Sequence, residues 1–169
     1  GKGINMWKVI VADDEPFIRE ALKEMIPWDE LGCHLAEALK NGKEVVNAVE
    51  KYKPDIVILD IQMPLMTGME AAQWIHENYP DIVVVLLTAY EDFKYAQQAI
   101  VFQVKRYVIK SNLFEDLPKA LEEISEELKK DNRSEKNRTE VYAGQKNKLN
   151  DNKLNKIVCN IISCMQSGG

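Results

Sequence analysis

Residues 7–26 read WKVIVADDEPFIREALKEMI, and the change of period inside this stretch decides the fold. Residues 7–12 (WKVIVA) are almost continuously aliphatic, the pattern of a strand covered on both faces. Three acidic residues follow, Asp13, Asp14 and Glu15, and then Pro16, which suits the first turn of a helix. Beyond it Phe17, Ala21, Leu22, Met25 and Ile26 share one helical face. A buried strand running straight into an amphipathic helix is the repeating half of a parallel α/β layer.

The alternation continues outward. Residues 56–59 (IVIL), 82–87 (IVVVLL) and 106–109 (RYVI) predict further buried strands, and 34–38 (HLAEA) predicts a weaker one nearer an edge. Between them, Val45, Val46, Val49 and Tyr52 form a helical stripe ended before Pro54. Met69, Ala72, Trp74, Ile75 and Tyr79 form another, ended before Pro80. Phe93, Ala96, Ala99 and Ile100 predict a fourth helix. Leu117, Leu121, Ile124 and Leu128 predict a fifth, with Pro118 expected near its start to delay or bend it. Five strands alternating with five helices predict the flavodoxin-like doubly wound (βα)5 sandwich, a parallel sheet in the order 2-1-3-4-5.

Composition sets the limits around that domain. The 169 residues are 46% hydrophobic and 29% charged with a formal charge of −5, an ordinary globular balance and a poor one for binding nucleic acid over the whole surface. No apolar run approaches the ~18–20 residues that span a bilayer, and no signal-peptide pattern opens the chain. The odd set Cys33, Cys159 and Cys164 has no zinc-like spacing, so a reduced, cytoplasmic protein is expected. The charge is uneven: residues 1–130 carry −8, and residues 131–169, rich in Asn and Lys, carry +3. A domain over 6–130 is expected, followed by 131–169 as a polar linker and partial helical extension. Within that tail Leu154, Ile157, Val158, Ile161, Ile162 and Met165 form a short amphipathic stripe over 153–166 that needs a partner.

In such a sheet the site lies at the carboxyl ends of the strands. There the sequence puts Asp13, Asp14 and Glu15 after strand 1, Asp60 after strand 3, Thr88 and Ala89 after strand 4, and Lys110 after strand 5. Singly, each has a plain explanation: Asp14 a helix cap, Asp60 a turn residue, Thr88 a strand threonine, Lys110 a solvated charge. Together, three crowded carboxylates call for a cation, and Mg²⁺ suits an oxygen site that keeps waters for a phosphate. A carboxylate, a metal, a hydroxyl and an ammonium meet the needs of phosphoryl transfer, with Asp60 as nucleophile.

The segments VIVADDEP (9–16), VILDIQMPLMTG (57–68), LLTAYEDF (86–93) and RYVIKS (106–111) resemble the response-regulator receiver domains of two-component signalling over about residues 6–128. That resemblance implies Asp60 as phosphoacceptor and Asp14 as direct Mg²⁺ ligand. It also implies Asp13 as a water-mediated ligand and the Gln62 main-chain carbonyl as a further one. Thr88 and Tyr107 resemble the switch pair, and Lys110 the phosphate-contacting lysine, while Gln62 and Tyr90 occupy positions that tune water access. Tyr107 has a plain alternative as a partly buried strand aromatic. The family usually has proline where Ser111 stands, often with a cis bond; a cis Lys110–Ser111 bond costs about 2.5–4 kcal/mol, so the sequence leaves cis or trans open here, and with it the aim of Lys110.

The longer segments 14–32 and 89–100 resemble the subgroup of receivers that precede an AraC-type helix-turn-helix domain. The implied function is a signalling domain, not an enzyme, that takes a phosphoryl group from a sensor histidine kinase and relays the change to a missing DNA-binding effector. A homodimer through the fourth-helix to fifth-helix face is an arrangement open to it; contact with DNA runs only through the effector, and no membrane is involved. Two readings compete. A flavodoxin-type electron carrier needs a phosphate-cradling loop where this chain has Asp13-Asp14-Glu15, and an aspartyl phosphatase needs its nucleophile after strand 1. Met63, Met66 and Met69 are expected to be packing residues, as are Cys159, Cys164 and the segment Trp28–Leu31.

Overall fold

The computed structural model describes residues 6–89, 97, 104 and 106–149, with side chains described as far as Val141. The elements run β1 (Trp7–Ala12), α1 (Pro16–Met25), β2 (Cys33–Leu39), α2 (Gly42–Tyr52), β3 (Ile56–Asp60), α3 (Gly68–Asn78), β4 (Val83–Thr88) and β5 (Arg106–Ile109). A 3-10 turn over Lys110–Asn112 leads into α4 (Leu113–Leu149). Every strand pairing is parallel, and the sheet order is β2-β1-β3-β4-β5. The order and the edge position of β2 are those the sequence predicts.

Alternation along the strands divides the core. Ile10, Ala12, Val57, Leu59, Val84 and Leu86 pack with Val45 and Val49 of α2 and with Ala72 and Ile75 of α3. The intervening residues Val9, Val11, Ile56, Ile58, Val85 and Leu87 are fully buried as well, so both faces are covered. Trp7 shares their parity, and its indole N–H donates to Ser125 Oγ of α4 at 3.0 Å within the core. Met63 and Met69 belong to the first of these clusters with Met66 packed against it, and the Trp28 indole donates to the Leu22 carbonyl at 3.0 Å. Both sets are packing material, as expected.

Two local features aim β3 at the site. Thr67 caps α3, its Oγ1 accepting from the Glu70 N–H at 3.1 Å. The chain then passes so close to the strand end that a Cβ on Gly68 would run into the Asp60 carbonyl oxygen. Gly68 donates its N–H to the Ile61 carbonyl at 2.8 Å, and Ile61 donates to Leu87 at 3.0 Å. The turn after β3 is thereby stitched to β4.

Some expectations need correction. Helix α4 opens at Leu113, five residues before Pro118, so the proline neither starts nor delays it but sits inside, at the cost of one ladder bond. The segment from 131, read as a polar linker, is helical as far as Leu149. Its side chains are exposed from 131 to 141, which explains why no apolar period marked it. The chain divides into two compact units, Gly1–Glu126 and Glu127–Gly169. The expected fourth helix, Tyr90, the stripe over 153–166, Cys159 and Cys164 lie outside the described residues. Cys33 is a free, buried thiol, which burial first and the Asp55 charge second push up to about 11.

Candidate functional site

The carboxyl ends of β1, β3, β4 and β5 meet at one opening. Because β1 is flanked by β2 and β3, Asp13 emerges between them and is completely buried, while Asp14 and Glu15 turn outward at the mouth. The backbone holds Asp13 tightly: its N–H donates to the Leu39 carbonyl at 2.9 Å, and its Oδ1 accepts from the Glu15 N–H at 2.9 Å. That second bond takes the place of the expected Asp14 cap, since Glu15 occupies the cap position of α1 without a side-chain bond. Arg19 reaches back from α1 and donates through Nη1 to the Asp13 carbonyl at 2.7 Å.

Lys110 closes the cluster from the end of β5. Its ammonium lies 2.7 Å from Asp13 Oδ2, 3.2 Å from Asp60 Oδ2 and 3.5 Å from Glu15 Oε1. Its side chain is 12% exposed, so the alternative of a solvated surface charge does not apply. The Asp13 contact is a close charge pair, with Oδ2 buried against the ammonium. Asp60 is 5% exposed at the end of β3. A cavity of about 170 Å³ opens in front of it, lined by Asp14, Glu15 and Lys110 on one side and by Gln62, Thr88 and Ala89 on the other.

The electrostatics follow from one ammonium facing several carboxylates. Burial, then the Asp13 charge, push the Asp60 carboxyl up to about 6, with Lys110 opposing. Burial also raises Asp13, against the Lys110 contact and the Glu15 N–H. Burial alone pulls the Lys110 ammonium down, but its contacts to Asp13 and Asp60 together outweigh this and leave it above its ordinary value. Such a site carries an excess of negative charge at neutral pH. Ligand oxygens of Asp13, Asp14 and Glu15 lie within 4.8 Å of one another.

Most sequence-predicted residues are thus brought together: Asp13, Asp60 and Lys110 in contact, with Asp14, Gln62 and Thr88 on the cavity wall. Tyr107 is not on that wall; it is half-buried on β5 and packs against the core beside Leu86, its register partner. Thr88 and Tyr107 point to the same face of the sheet, two positions apart along it, because Leu86 pairs with Tyr107. The described residues contain no cis peptide, so Lys110–Ser111 is trans, and Ser111 sits exposed in the 3-10 turn. Sequence reasoning missed two participants, Glu15 as a Lys110 partner and Arg19 as a clamp on the acidic turn. An arginine in the first turns of a helix that follows an acidic strand end was the available signal for the second.

Among known proteins, the family model described as the response regulator receiver domain matches residues 9–122. An uncharacterized transcriptional regulatory protein of Bacillus subtilis strain 168, YesN, is 34% identical over 125 residues, covering 74% of this chain and 34% of its own. The transcriptional regulatory protein HptR of Staphylococcus aureus strain NCTC 8325 is 35% identical over 105 residues, covering 62% of this chain and 41% of its own. The chain therefore spans about a third to two-fifths of the length of these relatives. Among solved structures, the receiver domain of AraT, a response regulator from Geobacillus stearothermophilus, is 32% identical with a TM-score of 0.64, covering 73% of this chain and 98% of that one. The isolated receiver domain of RcsB from Salmonella enterica serovar Typhimurium, at 22% identity and a TM-score of 0.66, shares the fold.

Proposed function

Because this chain belongs to the response regulator receiver domain family, we propose that Asp60 is its phosphoacceptor, charged by the phosphohistidine of a sensor kinase. One observation carries the assignment. Asp60 is the carboxylate at the centre of the strand ends that both faces an open cavity and is held 3.2 Å from a buried ammonium.

The chemistry follows from these groups. An ionised Asp60 oxygen attacks phosphorus, a P–O bond forms, and the P–N bond to the donor imidazole breaks with its electron pair leaving on nitrogen. Lys110 is poised to move from the carboxylates to the oxygens of the incoming group, keeping its charge because its pKa lies above the ordinary value. Thr88, on the opposite wall, has a hydroxyl suited to donating to one of those oxygens. Ala89 leaves room beside it.

The donor set suits a hard divalent cation. Asp13, Asp14 and Glu15 bring carboxylate oxygens within 4.8 Å of one another, with the Lys110 ammonium against Asp13 and Glu15 as counter-charge. Asp14 is assigned as the direct Mg²⁺ ligand and Asp13 as a water-mediated one, with Asp60 and the Gln62 main-chain carbonyl completing the set. When bound, Mg²⁺ neutralises charge on the carboxylates and on the transferring group.

Phosphorylation adds about −1.5 to −2 charges at Asp60. Thr88 is assigned the response to that charge. Tyr107, on the same face of the sheet and packed against the core, is assigned the coupled rearrangement that biases a two-state surface. On this reading residues 6–130 form the receiver and 131–169 lead toward an effector outside this sequence. That effector is of the AraC type and supplies the contact with DNA, consistent with relatives named as transcriptional regulators. The domain signals and is not an enzyme; a homodimer through the face that includes α4 and a cytoplasmic location belong to the same proposal. Among the described residues no helix is long and apolar enough to cross a membrane.

The test is phosphorylation of the purified chain with acetyl phosphate and Mg²⁺, mapped by mass spectrometry. One phosphoryl group on the peptide holding Asp60, lost in Asp60→Asn, is expected. A full signal in Asp60→Asn, or label on another residue, overturns the assignment.

A further inference from the structure

Asp14 lacks what holds its neighbour in place. Asp13 is buried and fixed at its N–H, its Oδ1 and its carbonyl, whereas Asp14 is exposed. Among the described residues no hydrogen bond or ion pair holds the Asp14 carboxylate. Its direction therefore depends on the peptide plane joining it to Asp13, since rotating that plane turns both flanking dihedrals and swings the carboxylate away. Among the described residues, one side chain grips this plane. Arg19, in the first turns of α1, donates through Nη1 to the Asp13 carbonyl at 2.7 Å in a partly buried contact. Its own N–H donates to the Glu15 carbonyl at 3.1 Å, so the residue is anchored to the acidic turn at both ends.

A hydrogen bond from a charged donor at this distance is stronger than a neutral one. The bond is spent on a main-chain oxygen, which leaves the carboxylates of Asp13, Asp14 and Glu15 available. We propose that Arg19 is a positioning residue for cation binding: it locks the Asp13–Asp14 peptide so that the acidic turn meets a divalent ion already arranged. Groups that orient ligands from behind in this way set affinity while touching neither ion nor substrate. The inference rests on the Mg²⁺ site proposed above and adds the residue that holds it in shape. A lysine at 19 presents a point charge on a flexible stem and keeps part of the effect; a neutral side chain of similar length keeps none.

The experiment titrates Mg²⁺ calorimetrically into the whole 169-residue chain without a phosphoryl donor, comparing the parent with Arg19→Gln and Arg19→Lys. Arg19→Gln is expected to weaken Mg²⁺ binding about tenfold, and Arg19→Lys by less. In acetyl phosphate reactions the half-saturating Mg²⁺ concentration shifts by the same factor, while the rate at saturating Mg²⁺ stays within about twofold. A purely structural role would lower the saturating rate and the melting temperature instead. Unchanged Mg²⁺ affinity in a folded Arg19→Gln chain overturns the inference, as does a parent chain with no saturable Mg²⁺ binding. If Arg19→Gln fails to fold, Arg19→Lys decides by the same measure. A parent chain that binds Mg²⁺ but is not phosphorylated on Asp60 overturns the phosphoacceptor reading alone, because the calorimetric comparison still tests Arg19.

Discussion

Replacing Asp60 by Asn is expected to stabilise the metal-free protein at neutral pH, although it destroys the proposed reactive group. The Asp60 carboxyl titrates at about 6 in the folded chain against 3.8 for an ordinary aspartate, through burial first and the Asp13 charge second. That rise corresponds to a destabilisation of about 3 kcal/mol once the group is ionised. The sign is that of a folded state binding a proton more readily than the unfolded one. The Asp60 contribution to stability is therefore highest below about pH 4, falls as pH rises through the window from 3.8 to about 6, and is level above it. The value of about 6 already includes the opposing attraction of Lys110 at 3.2 Å, so an uncharged Asn recovers up to about 3 kcal/mol at pH 7.5. For a domain of this size the gain raises the melting temperature by about 4–8 °C. Circular dichroism melts of parent and Asp60→Asn, with a chelator, at pH 7.5 and 4.5 read the difference. It should shrink to about a third at the lower pH, where the folded carboxyl is protonated but the unfolded one is still largely ionised, and shrink at neutral pH with Mg²⁺, which stabilises the parent more. An Asp60→Asn chain less stable than the parent at pH 7.5, or a gap of equal size at both pH values, refutes the reasoning.

Other perturbations act on the same framework. Lys110→Met leaves Asp13 and Asp60 facing each other without their cation and should cost about 2–4 kcal/mol at pH 7.5, measured by urea unfolding with a chelator. The raised Lys110 pKa means that the parent keeps this contribution below about pH 10 and loses it only as pH climbs past the folded value. Gly68→Ala forces a methyl group against the Asp60 carbonyl and should lower stability by about 1–3 kcal/mol while slowing phosphorylation, read by the same denaturation and by acetyl phosphate labelling. Trp7→Phe strips Ser125 of its buried donor and should cost about 1–2 kcal/mol. The double change with Ser125→Ala should cost less than the sum of the singles, and full additivity would deny the coupling.

Much of the architecture is local and so was readable in advance. The runs at 7–12 and 56–59 are strands because a sheet covered on both faces favours apolar residues at nearly every position, and helix stripes between prolines bound α2 and α3. The helix from 131 to 149 was not readable, because its side chains are exposed over 131–141 and carry no apolar stripe there to betray its period.

The site divides along the same line. Sequence alone determined that Asp13, Asp14, Asp60, Thr88 and Lys110 stand at strand ends, since strand ends are set by short-range pattern and a parallel sheet gathers its carboxyl ends on one side. Tertiary structure alone decided that Asp13 is fully buried, that Lys110 is shared among three carboxylates, and that Asp60 titrates near 6. It also decided that Arg19 grips the acidic turn. The physical reason is distance: charge, desolvation and hydrogen bonding act over a few ångströms through space, between residues that lie up to about a hundred positions apart along the chain.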